Sequence, residues 1–93
     1  MSEKLNKVVL ITGATRGIGA ATARLFAEKG YDVCINYNKN KTLAKSLSTE
    51  LAKMGVRCIE VQADVSNEDE VSKLFEQVDK QLGRLDCLVN NAG

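Results

Sequence analysis

A glycine-rich stretch near the start of the chain has the residue types and spacing of a phosphate-binding turn. Residues 12–19 read Thr-Gly-Ala-Thr-Arg-Gly-Ile-Gly and separate an apolar run, residues 8–11, from an amphipathic run. Where a strand leads into a helix, the first N–H groups of the helix lack internal partners and lie at the positive end of its dipole. Because glycines leave space in front of these groups, we expect this turn to bind phosphate.

Gly13, Gly17 and Gly19 are each expected to serve a separate purpose. Gly13 supplies a tight turn, Gly17 allows a pyrophosphate to approach closely, and Gly19 lets the helix pack against the strand. This spacing differs from the G-x-G-x-x-G of many dinucleotide-binding enzymes, and the stretch lacks the Gly-Lys-Ser/Thr ending of a P-loop. The stretch therefore favours a dinucleotide and argues against NTP hydrolysis.

Two shorter motifs follow later predicted strands. Asp64-Val65 comes just after the third strand, and Asn-Asn-Ala-Gly at residues 90–93 comes after the fourth. Together with the glycine stretch, and in this order, the motifs resemble those of the short-chain dehydrogenase/reductases. Within that family the chain is most similar to the 3-oxoacyl-carrier-protein reductase and sugar-dehydrogenase-like branch. The resemblance begins at the first strand and covers only the front part of such an enzyme.

The resemblance implies a role for each motif. Asp64 would meet the adenine amino group, and the backbone of Val65 would line the adenine pocket. Asn91 would stabilise the central sheet beside the cofactor, while Ala92 and Gly93 would leave space for the nicotinamide-side ribose. The residues alone leave another interpretation open, in which Asp64 is a turn or N-cap carboxylate and residues 90–93 form an ordinary turn.

The end of the second predicted strand bears on which dinucleotide would bind. An NAD-selective site places Asp or Glu there, about 20 residues after the glycines, to bind the ribose hydroxyls. This chain has Tyr37 at that position and no acidic residue between positions 33 and 49. Arg16, Asn38 and Lys39 are either donors to a 2′-phosphate or solvated loop residues. We therefore expect NADP(H) in preference to NAD(H).

The expected cofactor-binding residues combine the glycine stretch with the exits of the later strands. They are Gly13, Thr15, Arg16, Gly17, Ile18, Gly19, Tyr37, Asn38, Lys39, Asp64, Val65, Asn91, Ala92 and Gly93. The resemblance also implies a catalytic Ser, Tyr and Lys, with Tyr-x-x-x-Lys spacing, after a fifth strand. Tyr37 and Lys41 share that spacing but lie at the adenosine end, so we assign no catalytic residue to this chain.

The elements that would position these residues alternate between strands and helices. Predicted strands cover residues 7–12, 32–36, 57–62 and 87–90, and predicted helices cover residues 18–29, 41–54 and 67–82. This β-α-β-α-β-α-β pattern predicts an α/β fold, a partial Rossmann-type doubly wound parallel sheet of order 3-2-1-4. Helices one and two would cover one face and helix three the other, with the turns at Gly13 and Gly93 side by side.

Helical spacing predicts which residues face the core. The residues expected there are Ala21, Leu25 and Phe26 in the first helix, Leu43, Leu47, Leu51 and Met54 in the second, and Val71, Leu74, Phe75, Val78 and Leu82 in the third. Ser66 and Asp69 have the spacing of a capping box before the third helix. Cys34, Cys58 and Cys87 fall inside predicted strands, where thiols act as small apolar groups, and without histidine they suggest no metal site.

Composition limits the classes of protein to consider. With 93 residues, 44% of them hydrophobic, the chain has the size and composition of one small globular domain. A net charge of +1 gives no electrostatic case for nucleic acid or an anionic membrane surface. No apolar run approaches the roughly 20 residues of a membrane span, and no signal-peptide core is evident, so we expect a cytoplasmic protein.

We therefore expect residues 1–93 to be the dinucleotide-binding part of a single domain that is cut after its fourth strand. The parent would be an NADP(H)-dependent, homotetrameric oxidoreductase that interconverts a small-molecule carbonyl and a secondary alcohol. The chain alone would be inactive, since the catalytic region is absent. The alternative is a non-catalytic dinucleotide-binding or assembly module that functions at this length.

Overall fold

The fold is a parallel sheet with helices on both faces. The computed structural model describes residues 6–91, so Ala92 and Gly93 lie outside the described residues. The elements are β1 (Val8–Ile11), α1 (Gly17–Glu28), β2 (Asp32–Tyr37), α2 (Lys41–Ala52), β3 (Cys58–Gln62), α3 (Glu68–Leu82) and β4 (Cys87–Val89). No helix within residues 6–91 combines the length and apolar character needed to cross a membrane.

The strand order is β3-β2-β1-β4, and every neighbouring pair is parallel. This confirms the order predicted from the alternation of strands and helices. Ile11 pairs with Ile35 on one side and with Val89 on the other, so β1 ends level with β4 and before the end of β2, which continues to Tyr37. The turn that follows β1 therefore lies between the exits of β2 and β4.

The apolar run of β1 is explained by burial on both faces of the sheet. All four of its residues, Val8–Ile11, have no exposed surface. Val9 and Ile11 belong to a cluster with α1 and α2, while Val8 and Leu10 belong to a second cluster with α3. The predicted division of the helices between the two faces is thus confirmed, and the two helical layers fix β1 at the centre of the domain.

The buried face of α1 differs from the predicted one. The residues that α1 buries are Gly19, Ala20, Ala23 and Ala27. Ala21 is exposed and Leu25 is 53% exposed, so their predicted placement in the core is wrong. Phe26 is half-buried and packs edge-on against Tyr31, with ring centroids 4.9 Å apart. Small residues bring α1 close to the sheet, and this close approach sets the rotation of the helix.

The other two helices bury most of their predicted residues, with exceptions near their ends and at the sheet edge. Leu47 and Leu51 of α2 are buried, as are Leu74, Val78 and Leu82 of α3. Leu43 and Met54 are about 40% exposed, because α2 turns Ala44 inward and ends before Met54. Phe75 is also exposed, and it lies at the rim of a cavity beside β4.

The N-terminus of α3 is capped by Asn67, not by the predicted capping box. Its Oδ1 accepts hydrogen bonds from the N–H groups of Asp69 (3.0 Å) and Glu70 (3.2 Å). Ser66 instead donates its hydroxyl to Asp64 Oδ1 (2.7 Å), so the capping role predicted for Ser66 and Asp69 is wrong. Asn caps a helix as well as Ser does, and here the helix starts one residue later.

At the amino ends of the strands, Asp32 of β2 binds residues that precede β1 and β3. Its carboxylate, almost completely buried, accepts from Arg57 Nε (2.8 Å), Arg57 N (2.8 Å) and Asn6 Nδ2 (3.1 Å). Burial alone would raise the pKa of Asp32, but the hydrogen bonds and the charge of Arg57 outweigh it and lower the pKa. The guanidinium also donates to the carbonyls of Gln81 and Leu82, which closes the C-terminus of α3.

The cysteines occupy strands, as predicted. Cys34 is buried, whereas Cys58 and Cys87 are half-buried, and all three are free thiols. Burial raises the pKa of Cys34 to about 12 and that of Cys58 to about 11. Both thiols therefore stay protonated near neutral pH, which suits small packing groups.

Candidate functional site

The glycine stretch forms the turn between β1 and α1. Gly13 and Gly17 both have φ of +59°, a left-handed backbone conformation that glycine adopts without strain. The N–H groups of Gly13 and Ala14 point back into the protein, where they bond Asn36 Oδ1 (3.3 Å) and Asn36 O (3.1 Å). The start of the turn is thus anchored, and its remaining N–H groups lie further along, at the beginning of α1.

The N-terminus of α1 is open. Arg16, the N-cap residue, is extended, makes no side-chain capping bond, and is followed by a first turn without acidic residues. Within residues 6–91, the N–H groups of Gly17, Ile18 and Gly19 have no hydrogen-bond partner; the first internal bond runs from Ala20 N to Arg16 O (3.4 Å). The positive end of the helix therefore presents several donors in a row to an outside acceptor.

Gly17 and Gly19 leave room in different ways. A Cβ at Gly17 would meet nothing within 4 Å, so the space in front of it is open. A Cβ at Gly19 would lie 2.6 Å from Asn91 Nδ2 and 2.7 Å from Gly13 O, closer than a side chain permits. The surroundings of Gly17 are therefore open, whereas Gly19 allows the turn, the helix and the exit of β4 to pack closely.

The exit of β4 is hydrogen-bonded to this turn. Asn91 Nδ2 donates to Gly13 O (2.9 Å), and Asn91 N donates to Thr12 Oγ1 (2.9 Å). Thr12 N donates to Val89 O (3.0 Å), and the Thr12 hydroxyl donates to Asn90 Oδ1 (3.2 Å). The predicted neighbourhood of the two turns is therefore present up to Asn91, the last described residue.

The exit of β2 brings Asn38 and Lys39 towards the end of β3. Gln62 Nε2 donates to both the backbone oxygen (3.1 Å) and Oδ1 (3.3 Å) of Asn38. Lys39 is close enough for its charge to act on Asp64. Tyr37, predicted to stand in the loop, is instead the last residue of β2, and its side chain is only 8% exposed in the core.

Asp64 carries a negative charge in a turn. Ser66 donates both its hydroxyl (2.7 Å) and its N–H (3.0 Å) to Asp64 Oδ1. These bonds, chiefly the one from the hydroxyl, lower the pKa of Asp64, and the charge of Lys39 contributes further. Within residues 6–91, Oδ2 of Asp64 has no hydrogen bond. The role of Asp64 as a turn carboxylate therefore involves Oδ1 alone, and Oδ2 can accept a hydrogen bond from a ligand.

A cavity of about 640 Å³ lies at the carboxyl ends of the strands, on the side of α3. Polar and apolar residues both line it: Thr12, Asn38, Asp64, Ser66 and Asn90, together with Leu10, Val65, Val71, Leu74, Phe75 and Leu88. A flat apolar group with polar edges, such as a nucleobase, matches this lining. The cavity therefore extends the candidate site from the glycine stretch to Asp64 and Val65.

Tyr37 and Lys41, which share the Tyr-x-x-x-Lys spacing, do not form a site together. Tyr37 lies in the core, whereas Lys41 lines a separate concavity of about 600 Å³ on the outer face of α2. That concavity includes none of the predicted cofactor-binding residues. The two side chains therefore lie in different surroundings, and we continue to assign neither of them a catalytic role.

Sequence reasoning did not single out Asn36, which contacts the glycine stretch directly. It is 2% exposed and is flanked by Ile35 and Tyr37 in a strand whose residues are all buried. A polar side chain inside such a strand requires hydrogen-bond partners, and this requirement was the available signal. Its partners are distant in sequence, so only the fold identifies them.

Comparison with known proteins gives consistent matches. A family model described as short chain dehydrogenase matches residues 7–93. The chain is 44% identical over 89 residues to a 3-oxoacyl-[acyl-carrier-protein] reductase of Staphylococcus epidermidis, covering 96% of this chain and 36% of that protein. It is 45% identical over 87 residues to the corresponding reductase of Synechocystis, covering 94% and 35%. The chain thus spans little more than a third of these relatives.

Solved structures match in the same way. A blue fluorescent protein from a metagenomic library, in complex with NADPH, gives a TM-score of 0.91 at 42% identity, over 96% of this chain and 37% of that one. A short chain dehydrogenase from Burkholderia cenocepacia, in complex with NADP, also gives a TM-score of 0.91, at 40% identity over 96% and 36%. The fold and the sequence therefore point to the same group of proteins.

Proposed function

Since this chain belongs to the short-chain dehydrogenase family, we propose that it is the cofactor-binding part of an NADP(H)-dependent oxidoreductase. The parent protein interconverts a carbonyl and a secondary alcohol on a small molecule. The observation that carries the proposal is the open N-terminus of α1, whose first N–H groups have no hydrogen-bond partner within residues 6–91 and where a Cβ at Gly17 would meet nothing within 4 Å. Similar proteins crystallised with NADP or NADPH support the choice of ligand.

The pyrophosphate of the cofactor binds at the start of α1 in this proposal. The N–H groups of Gly17, Ile18 and Gly19 donate to its oxygens, and the helix dipole favours its negative charge. Thr15 and Arg16 flank the approach, and Arg16 is exposed, so its guanidinium can reach a phosphate. Gly17 is essential here, because any side chain at that position would occupy the approach.

The adenosine half binds along the exits of β2 and β3. Asp64 Oδ2 accepts from the adenine amino group, and Val65 lines the cavity beside the base. Asn38 keeps its Oδ1 on Gln62, which leaves its NH₂ group to donate, together with Lys39, to a 2′-phosphate. No acidic residue lies between positions 33 and 49 to repel that phosphate, so NADP(H) is preferred to NAD(H).

The nicotinamide, when bound, donates or accepts a hydride, and this chain contributes binding and orientation to that step. Asn91 holds the exit of β4 against Gly13 O, on the side where the nicotinamide ribose would lie. Ala92 and Gly93 complete this contact in the proposal. Because the Ser, Tyr and Lys that the resemblance implies would follow a fifth strand, which these residues do not include, we expect residues 1–93 alone to lack oxidoreductase activity.

A test of the proposal measures cofactor binding and activity separately. Isothermal titration calorimetry of the 93-residue chain with NADPH and NADH reports binding, and we expect NADPH to bind more tightly. The longest reading frame that carries these residues is then assayed with NADPH and 3-oxoacyl or simple ketone substrates. Failure of NADPH to bind either protein would refute the cofactor assignment; binding without turnover by the longest frame would refute the enzymatic one.

A second candidate is a non-catalytic dinucleotide-binding or assembly module. Two large apolar side chains favour it: Leu88 in β4 is 51% exposed, and Leu85 just before this strand is 37% exposed. Such residues suit contact with another surface, within this protein or between copies. A native transcript that stops after Gly93 and yields an NADPH-binding product would support the module, whereas a downstream Tyr-x-x-x-Lys would support the enzyme. We expect the parent enzyme to be a homotetramer.

A further inference from the structure

Asn36 links the glycine stretch to the end of β3 through one buried side chain. Oδ1 accepts from Gly13 N (3.3 Å), while Nδ2 donates to Val61 O (3.3 Å) and Ala63 O (3.1 Å). Ala63 immediately precedes Asp64 in the chain. A single planar amide therefore spans the distance between the phosphate-binding turn and the adenine contacts.

These bonds are additional to the ones that hold the sheet together. Tyr37 O already accepts from Ala63 N (2.9 Å), and the paired strands align Asn36 with Val61. The side-chain bonds of Asn36 extend this connection past β3 on one side and across to Gly13 on the other. An apolar residue could fill the same core position, so the choice of Asn requires another reason.

We propose that Asn36 is a positioning residue that fixes the glycine stretch relative to Asp64 and Val65, and so sets the affinity for the whole dinucleotide. The inference rests on the proposed function. A ligand that touches both subsites gains from finding them already at the correct separation, because no binding energy is spent on ordering them. A ligand that touches only the adenine subsite gains nothing from this link.

The test compares NADPH with adenosine 2′-monophosphate, which has no phosphate on its 5′-oxygen and so does not reach the glycine stretch. In the longest reading frame that carries these residues, we expect Asn36→Ala to raise the Kd of NADPH about tenfold and that of adenosine 2′-monophosphate by less than about twofold. Asn36→Ser, which keeps one polar atom, serves as a milder variant if Asn36→Ala does not fold. The unfolding midpoint of each protein is measured without ligand.

Ser48→Ala is the matched control. Ser48, also buried, donates to Cys58 O (3.3 Å), a β3 carbonyl at the opposite end of the strand. The control lowers the unfolding midpoint but leaves the Kd of NADPH unchanged. If the Asn36 variants behave like the control, or if both ligands weaken equally, Asn36 does not position the two subsites and the inference is wrong. If the unchanged protein fails to bind NADPH, the proposed function itself is wrong, which is a distinct result.

Discussion

The N-termini of α1 and α3 lie at the same edge of the sheet but are completed in opposite ways. Asn67 accepts hydrogen bonds from two N–H groups of α3, whose first turn also contains Glu68, Asp69 and Glu70. Arg16 gives α1 no side-chain bond, and no acidic residue follows it in the first turn. The protein itself thus supplies acceptors and negative charge to the N-terminus of α3, whereas the N-terminus of α1 has neither from its cap or first turn.

This difference supports our proposal that the N-terminus of α1, and not that of α3, binds a ligand. A capping side chain contributes about 1 kcal/mol, so leaving a helix end open has a cost in stability. An anion that binds the open end recovers that cost and gains the dipole interaction as well. The N-terminus of α2 also lacks a side-chain cap, but it begins with Lys41 and Thr42 in place of glycines. The open end and the glycines occur together only at α1 among the described helices.

The largest expected effect comes from closing the approach to α1. Gly17→Val places a branched side chain in front of the N–H groups and should weaken NADPH binding about 100-fold or more, equivalent to about 2.7 kcal/mol. Gly55→Val is the control, because Gly55 also has a positive φ with open space around it, between α2 and β3. Both variants should lose similar stability. Calorimetry should show weakened NADPH binding in Gly17→Val and unchanged binding in Gly55→Val. Tight NADPH binding by Gly17→Val would show that the phosphate site is not at this turn.

A smaller effect is expected from giving the exit of β2 a negative charge. Tyr37→Asp would bury a carboxylate in the core, so Asn38→Asp, at an exposed position, tests the same idea without that cost. The new carboxylate should repel a 2′-phosphate and shift the ratio of NADPH to NADH affinity about tenfold towards NADH. Ser46→Asp, on the outer face of α2, controls for net charge. An unchanged ratio in Asn38→Asp would exclude this corner as the 2′-phosphate site.

Removing the cap of α3 tests the other side of the comparison. Asn67→Ala should lower the free energy of unfolding by about 1 kcal/mol, because two N–H groups lose their acceptor. Its affinity for NADPH should stay the same. Asn40→Ala at the start of α2 is the control, since Asn40 makes no capping bond there. Urea unfolding followed by circular dichroism measures both, and equal losses in the two variants would contradict the capping role.

The smallest effect concerns pH and the opposite edge of the sheet. The folded structure lowers the pKa of Asp32, so its contribution to stability is complete above its unfolded pKa of about 3.9. That contribution disappears as the pH falls through the lower folded value. Urea unfolding between pH 6 and pH 3 should show a smaller acid-induced loss in Asp32→Asn than in the unchanged protein. A loss of equal size would show that Asp32 is not a source of the acid sensitivity.

The sequence predicted the elements, their order in the sheet and the glycine stretch, because these depend on local patterns. Boundaries differ by one or two residues, as helix and strand ends usually do. The face of α1 was predicted wrongly because a helix rich in alanine has no single apolar stripe: Ala21 and Ala20 look alike in sequence. The choice between Ser66 and Asn67 was also open in the sequence, because both residue types are good N-caps and the two are adjacent.

The remaining misses depend on contacts between distant segments. Asn36 bonds backbone groups of Gly13 and Ala63, and no sequence pattern marks a carbonyl as a partner. The inward side chain of Tyr37 depends on the packing of α1 and α2 over β2. Among the predicted site residues, the structure brings together the glycine stretch and Asn91, and it brings Asn38 and Lys39 close to Asp64.

The contact between Asn91 and Gly13 has a consequence for how the protein matures. The two residues are 78 positions apart, and the close fit of Gly19 against the Asn91 amide is possible only when both are in place. During synthesis, the chain must be made as far as Asn91 before this contact can form and order the turn after β1. We therefore expect the nascent chain to bind the coenzyme only after synthesis has passed Asn91.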